Sequence, residues 1–127
     1  MKKLFIIISI VVIGCSSAKK NNTTDLNNSF DENGTPFCIQ KKIDSFKIAD
    51  LSFRPLSVTE YIYKEKKVYY VAMFCCDHYN IVYDSNCVIL GYPDGGFTGR
   101  GDGKMQDFKQ AIKSRIVWEN RKSNPEK

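Results

Sequence analysis

The sequence predicts an α+β domain, with one N-terminal helix packed on an antiparallel sheet of four to five strands, a glycine-rich loop and a short second helix. Three features lead to this fold class. Residues 36–47 repeat apolar side chains at helical spacing, residues 57–90 contain four short β-branched and aromatic runs, and five glycines fall within residues 95–103. A length of 127 residues without internal repeats favours one folded domain, which we place at residues 36–121.

Residues 1–14 predict a lipoprotein signal peptide that is removed from the mature chain. Lys2 and Lys3 precede a ten-residue apolar core. Ten residues of helix span about 15 Å, half of the hydrocarbon thickness of a bilayer. Residues 12–15 read Val-Ile-Gly-Cys, which fits a bacterial lipobox, with a small residue before the cut and a cysteine that receives the lipid. Cys15 is therefore the expected lipidation site, and its acyl chains would tether the protein to a membrane without spanning it.

Residues 15–35 are expected to comprise the lipidated cysteine and a flexible tether. The segment is polar and rich in asparagine, so it cannot bury enough apolar surface to offset the entropy lost on ordering. By resemblance to enterobacterial sorting rules, Ser16 and Ser17 after Cys15 favour the outer membrane, because no aspartate signals the inner one. We expect a bacterial, periplasm-facing, membrane-anchored lipoprotein of the cell envelope, with a disordered tail at residues 122–127.

The charge of the chain does not indicate a nucleic-acid partner. The whole sequence carries a net charge of +5 at pH 7. Without Lys2 and Lys3, the 19 basic residues become 17 against 14 acidic ones, a net charge of +3. A value of this size serves solubility, whereas a nucleic-acid-binding domain concentrates basic residues on one face. The expected contact with a membrane is made through the N-terminal lipid.

The N-terminal helix is expected to begin at Thr35 and Pro36. Threonine is a favoured N-cap residue, and proline is favoured at the first helical position. Ile39, Ile43 and Phe46 recur at i, i+4 and i+7, which places them in one apolar stripe that faces the sheet.

The sheet is expected to contain strands at residues 57–63, 68–74, 81–83 and 88–90. The second of these carries valine and aromatic side chains on both faces, which suits a central strand covered on both sides. The third and fourth strands are joined through residues 84–87, Asp-Ser-Asn-Cys, which is a turn-forming sequence.

The glycine-rich segment is expected to be a loop, because glycine at such density weakens both helices and strands. The short second helix is expected at residues 107–113, with Phe108, Ala111 and Ile112 on its apolar side. Residues 116–118, Ile-Val-Trp, are β-branched and aromatic, which predicts a final short strand.

Three motifs carry a family resemblance: Cys-Cys-Asp at residues 75–77, Tyr-Asp-Ser-Asn-Cys at 83–87, and Pro-Asp-Gly-Gly-Phe-Thr-Gly-Arg-Gly-Asp-Gly at 93–103. In these motifs the chain resembles a family of small Bacteroidetes-type bacterial lipoproteins, known as a domain of unknown function. The resemblance covers most of the expected domain and implies no activity. The family carries further cysteines near the positions of Gly91 and Met105, and their joint absence here fits a disulfide pair lost together.

Four cysteines remain after the lipidated one: Cys38, Cys75, Cys76 and Cys87. An even number in an oxidising compartment predicts two disulfides. A bond between Cys75 and Cys76 is disfavoured, because neighbouring Cα atoms lie about 3.8 Å apart, below the usual disulfide range. Cys38 and Cys87 are therefore expected to bond one each of this pair, in either order. A zinc site from these cysteines and His78 lacks the Cys-x-x-Cys spacing, so no metal ligand is assigned.

The glycine loop has two ligand-binding interpretations and one structural one. Asp94, Asp102 and Asp107, with free backbone carbonyls, could bind calcium, which takes six to eight oxygen ligands. Arg100 and Lys104, with backbone N–H groups, could instead hold an anion. In the structural interpretation the glycines serve tight turns and the loop binds nothing, since its spacing fits neither an EF-hand nor a nucleotide-binding loop.

No residue of the sequence is assigned a catalytic role. His78 is the one histidine, and neither a metal-hydrolase nor a nucleophile-elbow motif accompanies it. Seven tyrosines within residues 61–92 could form an aromatic recognition face, although cross-strand pairing explains most of them. We expect a non-catalytic binding module for an envelope protein or glycan. A calcium- or anion-binding domain at residues 94–107 is the second interpretation, and a small envelope enzyme the third. No cofactor is expected unless the loop binds calcium.

Overall fold

The computed structural model describes residues 29–74 and 77–121, so the predictions for residues 1–28, Cys75, Cys76 and residues 122–127 lie outside the described part. The described chain forms a five-stranded antiparallel sheet in the order β4-β3-β2-β1-β5, and one α-helix. The elements are α1 (Phe37–Ile48), β1 (Ser57–Tyr63), β2 (Lys66–Ala72), β3 (Ile81–Asp84), β4 (Ile89–Gly91) and β5 (Ile112–Glu119), with short 3-10 turns at Leu51–Phe53 and Phe108–Gln110.

The predicted α+β fold class is wrong, because the described chain is mostly β and has one α-helix instead of two. The second helix, expected at residues 107–113, is replaced by the 3-10 turn Phe108–Gln110, after which β5 begins. Ile112 pairs with Ile62 of β1, and the Phe108 ring lies 5.7 Å from the ring of Tyr70. Too few residues separate these two fixed points for a helix to gain the hydrogen bonds that offset its nucleation.

Helix α1 lies where the apolar periodicity predicts it, but a threonine does not cap it. Pro36 stands at its N-terminal boundary, and the Pro36 carbonyl accepts a hydrogen bond from the Ile39 N–H at 2.9 Å. The hydroxyl of Thr35 instead accepts a hydrogen bond from Nη2 of Arg115 at 3.0 Å. Ile39 and Ile43 are buried against the sheet, as their spacing predicts.

Strand β2 is the centre of the sheet and is covered on both faces, as its apolar residues predict. On one face, Tyr69 and Val71 pack with α1. On the other face, Val68 packs with Met105 and Phe108, which belong to the connection between β4 and β5. Successive side chains of a strand point to opposite faces, so this connection acts as a second cover for the sheet.

A buried ionic network joins β5 to β1. Glu60 is 1% exposed, and its carboxylate lies 3.1 Å from Nη2 of Arg115 and 3.4 Å from Nζ of Lys67. The Ser114 hydroxyl donates to the same carboxylate at 3.0 Å. Burial raises the pKa of Glu60, but the hydrogen bond from Ser114 and the charges of Arg115 and Lys67 outweigh it and hold the pKa below its usual value. Burial, and then the charge of Glu60, raises the pKa of Tyr69 to about 12.

A disulfide between Cys38 and Cys87 joins α1 to the turn between β3 and β4, with Cα atoms 6.1 Å apart. The expected pairing of each with Cys75 or Cys76 is therefore wrong. The short distance between adjacent Cα atoms disfavours a bond within the Cys75–Cys76 pair, but it does not reveal that the start of α1 lies beside the β3–β4 turn. That proximity is a long-range property of the fold.

Gly91 and Met105, the two positions at which the resembled family carries further cysteines, are in contact in the fold. A Cβ atom on Gly91 would lie 2.8 Å from Cγ of Met105. The loss of a disulfide pair at these positions stays a prediction.

Removal of the Cys38–Cys87 disulfide is expected to lower the stability of the fold. Replacing Cys38 and Cys87 by serine is expected to lower the free energy of unfolding by about 4 kcal/mol, because the bond closes a long loop of the unfolded chain. Urea unfolding measures this change. Non-reducing peptide mapping tests the pairing itself, and a peptide linking Cys38 to Cys75 or Cys76 would contradict it.

The variant Glu60→Gln is expected to lower the free energy of unfolding by about 2 kcal/mol near neutral pH, because Arg115 loses its buried counter-charge. Because the native pKa of Glu60 lies below the ordinary value of 4.5, its contribution is present above that value and is lost as the pH falls through the native pKa. Urea unfolding at decreasing pH should therefore show that the difference in unfolding free energy between wild type and variant becomes smaller in acid. Glu65→Gln, at an exposed hairpin residue, is the control. A difference in unfolding free energy that stays constant in acid would argue against this role for Glu60.

Candidate functional site

The glycine-rich loop is anchored to the sheet through Asp94. The Asp94 carboxylate accepts hydrogen bonds from the Tyr70 hydroxyl, at 3.0 and 3.1 Å, and from the side-chain amide of Asn80. The side-chain oxygen of Asn80 in turn accepts a hydrogen bond from the N–H of Met73 at 2.7 Å. Burial, and then the negative charge of Asp94, raises the pKa of Tyr70, so that its hydroxyl stays protonated and continues to donate.

Backbone hydrogen bonds fix the remainder of the loop. The Gly96 N–H donates to the His78 carbonyl at 2.9 Å, and the Asp102 N–H donates to the Tyr92 carbonyl at 2.9 Å. Glycine is required at position 101, where φ is +64° and a Cβ atom would collide with the Tyr92 carbonyl oxygen. The loop is therefore a folded part of the domain with a defined shape.

This fixed loop holds Phe97 in solvent, with the side chain 93% exposed. Next to it, a Cβ atom on Gly96 would collide with the Tyr79 ring, whose centroid lies 5.3 Å from that of Tyr92. The ring of Phe53 meets His78 edge to face, with centroids 6.0 Å apart. Phe53 is 62% exposed and Tyr79 is 45% exposed. We name this surface the aromatic end; it lies where β1 and β3 begin and β2 and β4 end, and comprises Phe53, His78, Tyr79, Tyr92 and Phe97.

Most of the seven tyrosines serve packing. Tyr69 and Tyr83 are buried in the core beneath α1. The rings of Tyr61, Tyr63 and Tyr70 surround Phe108 with centroid distances of 5.3 to 5.7 Å. Tyr79 and Tyr92 are the two that belong to the aromatic end.

Sequence reasoning did not single out Phe53 or Phe97. Neither residue belongs to a periodic segment, so no pattern of alternation or helical spacing marks them. The available signal was the position of Phe97 itself, a large apolar residue in the middle of a glycine-rich loop.

The structure does not bring the predicted calcium ligands together. Asp94 is engaged by Tyr70 and Asn80, and Asp102 accepts a hydrogen bond from the Lys104 N–H at 3.0 Å. Asp107 accepts a hydrogen bond from the Tyr63 hydroxyl at 2.6 Å and pairs with Lys64 at 3.0 Å. Within residues 29–74 and 77–121, no three His, Cys, Asp or Glu side chains are grouped so as to hold a metal ion.

The two cations proposed to hold an anion, Arg100 and Lys104, are both exposed. Arg100 lines a shallow pocket of about 600 Å³ beside Asp102, and Lys104 is not part of its wall. The negative charge of Asp102 in the same pocket disfavours an anionic ligand.

Comparison with known proteins gives a family and no activity. Residues 44–120, which are 77 of the 127 residues, match a domain of unknown function, DUF6970. No curated protein and no solved structure matches the chain. None of the helices in the described residues has the length and apolar character needed to cross a membrane. Since the match includes all five strands and the whole aromatic end, the chain belongs to the DUF6970 family.

Proposed function

We propose that this protein is a lipid-anchored protein of the bacterial cell envelope, facing the periplasm, whose domain is a non-catalytic binding module. The aromatic end is the proposed binding surface. The lipobox sequence that ends at Cys15 supports the anchor. The serines that follow Cys15 support the outer membrane as the location.

The observation that carries the binding role is the exposure of Phe97 on a loop that is fixed on both sides. A phenylalanine that stays in water forgoes roughly 2 kcal/mol of burial. The anchors at Asp94 and Gly101 hold the loop in the conformation that presents this ring outward. Rigid exposed aromatic side chains are typical of binding hot spots, because they bury a large area on contact and lose little conformational entropy.

The neighbouring aromatic residues enlarge this surface beyond a single side chain. Phe53 and Tyr79 lie at the same end of the sheet and are roughly half exposed or more. Clustered exposed rings of this kind mark interaction surfaces more often than isolated ones do. An aromatic surface suits either a protein partner, which fills it with apolar side chains, or a glycan, whose sugar rings stack on it.

The enzyme interpretation gains no support from the geometry around His78. This side chain packs against the ring of Phe53 and pairs with no carboxylate in the described residues. A general base needs an orienting partner, and the described residues place no side chain in that role beside His78.

Site-specific crosslinking tests the proposed binding role of the aromatic end. A photoreactive phenylalanine analogue at position 97 is expected to crosslink to a defined envelope component in intact cells, because that side chain would lie in the interface. The same analogue at Ile112, which is 69% exposed on β5, is the control. Mass spectrometry of the adducts distinguishes a protein from a glycan. Identical adducts at both positions, or none at position 97, would count against the aromatic end.

The response of the protein to calcium distinguishes the binding-module proposal from the calcium-binding interpretation of the glycine loop. Because the three aspartates are engaged by separate partners, millimolar calcium is expected to leave the melting temperature unchanged. Thermal unfolding with calcium and with a chelator checks this. A clear rise with calcium that Asp102→Asn abolishes would favour the calcium-binding interpretation instead.

A further inference from the structure

A shallow pocket of about 330 Å³ opens between the end of α1 and the end of β5. Ser57 of β1 pairs with Glu119 of β5, so the pocket lies at the same end of the sheet as the aromatic end. Its volume is close to the lower bound of small-molecule sites, roughly 300 Å³, and suits a single ring-sized group. We name it the Trp118 pocket; its walls are formed by Lys47, Arg54, Trp118, Glu119, Asn120 and Arg121.

Trp118 supplies the aromatic ring of this pocket. The ring centroid lies 6.4 Å from that of Phe46 on α1, and the side chain packs partly buried against the core. Packing of this kind holds the ring in place while part of it stays in contact with water. A fixed aromatic ring presents a flat apolar surface and loses little conformational entropy when a ligand stacks on it.

The guanidinium of Arg54 is held in a fixed orientation at the wall of the same pocket. Its Nε and Nη2 atoms donate to the Ala49 carbonyl at the end of α1, at 3.2 and 2.7 Å. Within residues 29–74 and 77–121, Nη1 has no hydrogen-bond partner. Because a planar guanidinium that is fixed on one side loses little freedom on binding, Arg54 offers pre-organised N–H donors to a ligand.

The polar groups of the pocket include both donors and an acceptor. Lys47 is paired with Asp44, at 2.8 Å. Glu119 and Arg121 are exposed, and neither forms an ion pair within the described part of the chain. The carboxylate of Glu119 offsets one of the two guanidinium charges and would repel a phosphate or a carboxylate ligand. Sugar hydroxyls both donate and accept hydrogen bonds, so a sugar can use the arginine donors and the Glu119 acceptor together.

We propose that the Trp118 pocket binds one sugar residue of an uncharged glycan, which stacks on Trp118 and hydrogen-bonds to Arg54 and Glu119. This inference deepens the proposed function and rests on it, since the aromatic end would hold the neighbouring sugars of the same glycan chain. Arg54 follows Phe53 of the aromatic end directly in the sequence, so the two surfaces are adjacent. The partner of the aromatic end is then a glycan and not a protein.

Retention on an array of bacterial oligosaccharides tests the sugar site. The full lipidated protein in detergent is expected to be retained by a subset of the arrayed glycans. Glu119→Ala removes the hydrogen-bond acceptor and is expected to weaken this retention roughly tenfold. Glu32→Ala removes another exposed carboxylate, in the turn before α1, and as the control is expected to leave retention unchanged. Retention by no glycan, or equal weakening by the two variants, would overturn the proposal.

Trp118 is the one tryptophan of the sequence, so its fluorescence reports directly on the pocket. A retained oligosaccharide is expected to change the emission of Trp118 in a saturable way, because stacking replaces water at the ring. Arg54→Lys keeps the charge but loses the planar fork, and is expected to weaken the binding read from this titration about fivefold. Inorganic phosphate is the comparison probe. Unchanged emission with the sugar, or an equal response to phosphate, would refute a site for an uncharged sugar.

The crosslinking experiment at position 97 separates this inference from the proposed function. A glycan adduct at that position, together with retention that depends on Glu119, supports both. A protein adduct without retention by any glycan would refute the sugar site and leave the binding role of the aromatic end supported. Retention that depends on Glu119 without any adduct at position 97 would refute the aromatic end as the binding surface, whereas the sugar site in the Trp118 pocket would stand.

Discussion

The packing of Phe108 on the tyrosines of the sheet is the contact on which the rest of the structure depends. Both faces of β2 are apolar, so both must be covered, and α1 can cover only one. Phe108 meets three tyrosine rings on the other face, and Met105 fills the space over Gly91. The connection from β4 to β5 therefore has to cross this face, and the glycine-rich loop is the part of it that remains at the end of the sheet.

Two long-range links hold the start of α1 to opposite edges of the sheet. The disulfide from Cys38 reaches the β3–β4 turn, whereas the hydroxyl of Thr35 binds Arg115 on the edge strand β5. Arg115 also pairs with the buried Glu60, so the N-terminal segment, β1 and β5 share one network. The helix packs on the sheet through the buried Ile39 and Ile43 and the partly buried Phe46, and these two links fix the position of its start.

The proposed binding role concerns one end of the sheet. The aromatic end is built on a loop whose shape is fixed by Asp94 and by backbone hydrogen bonds. If this end is a binding surface, its exposed rings bury their apolar area only on contact with a partner, which accounts for their exposure in the isolated domain.

The sequence by itself determined the elements whose buried side chains recur at a regular spacing. The spacing of Ile39 and Ile43 located α1, and the apolar residues of β1 and β2 located the central strands, because helices and strands bury side chains with their own periods. Only the tertiary structure decided that residues 107–113 form a turn and the start of a strand, although Phe108, Ala111 and Ile112 have helical spacing. The tertiary structure alone determined that Cys87 is the partner of Cys38 and that Phe97 is exposed to water. These outcomes depend on which distant segments become neighbours, and such proximity leaves no periodic mark on the chain.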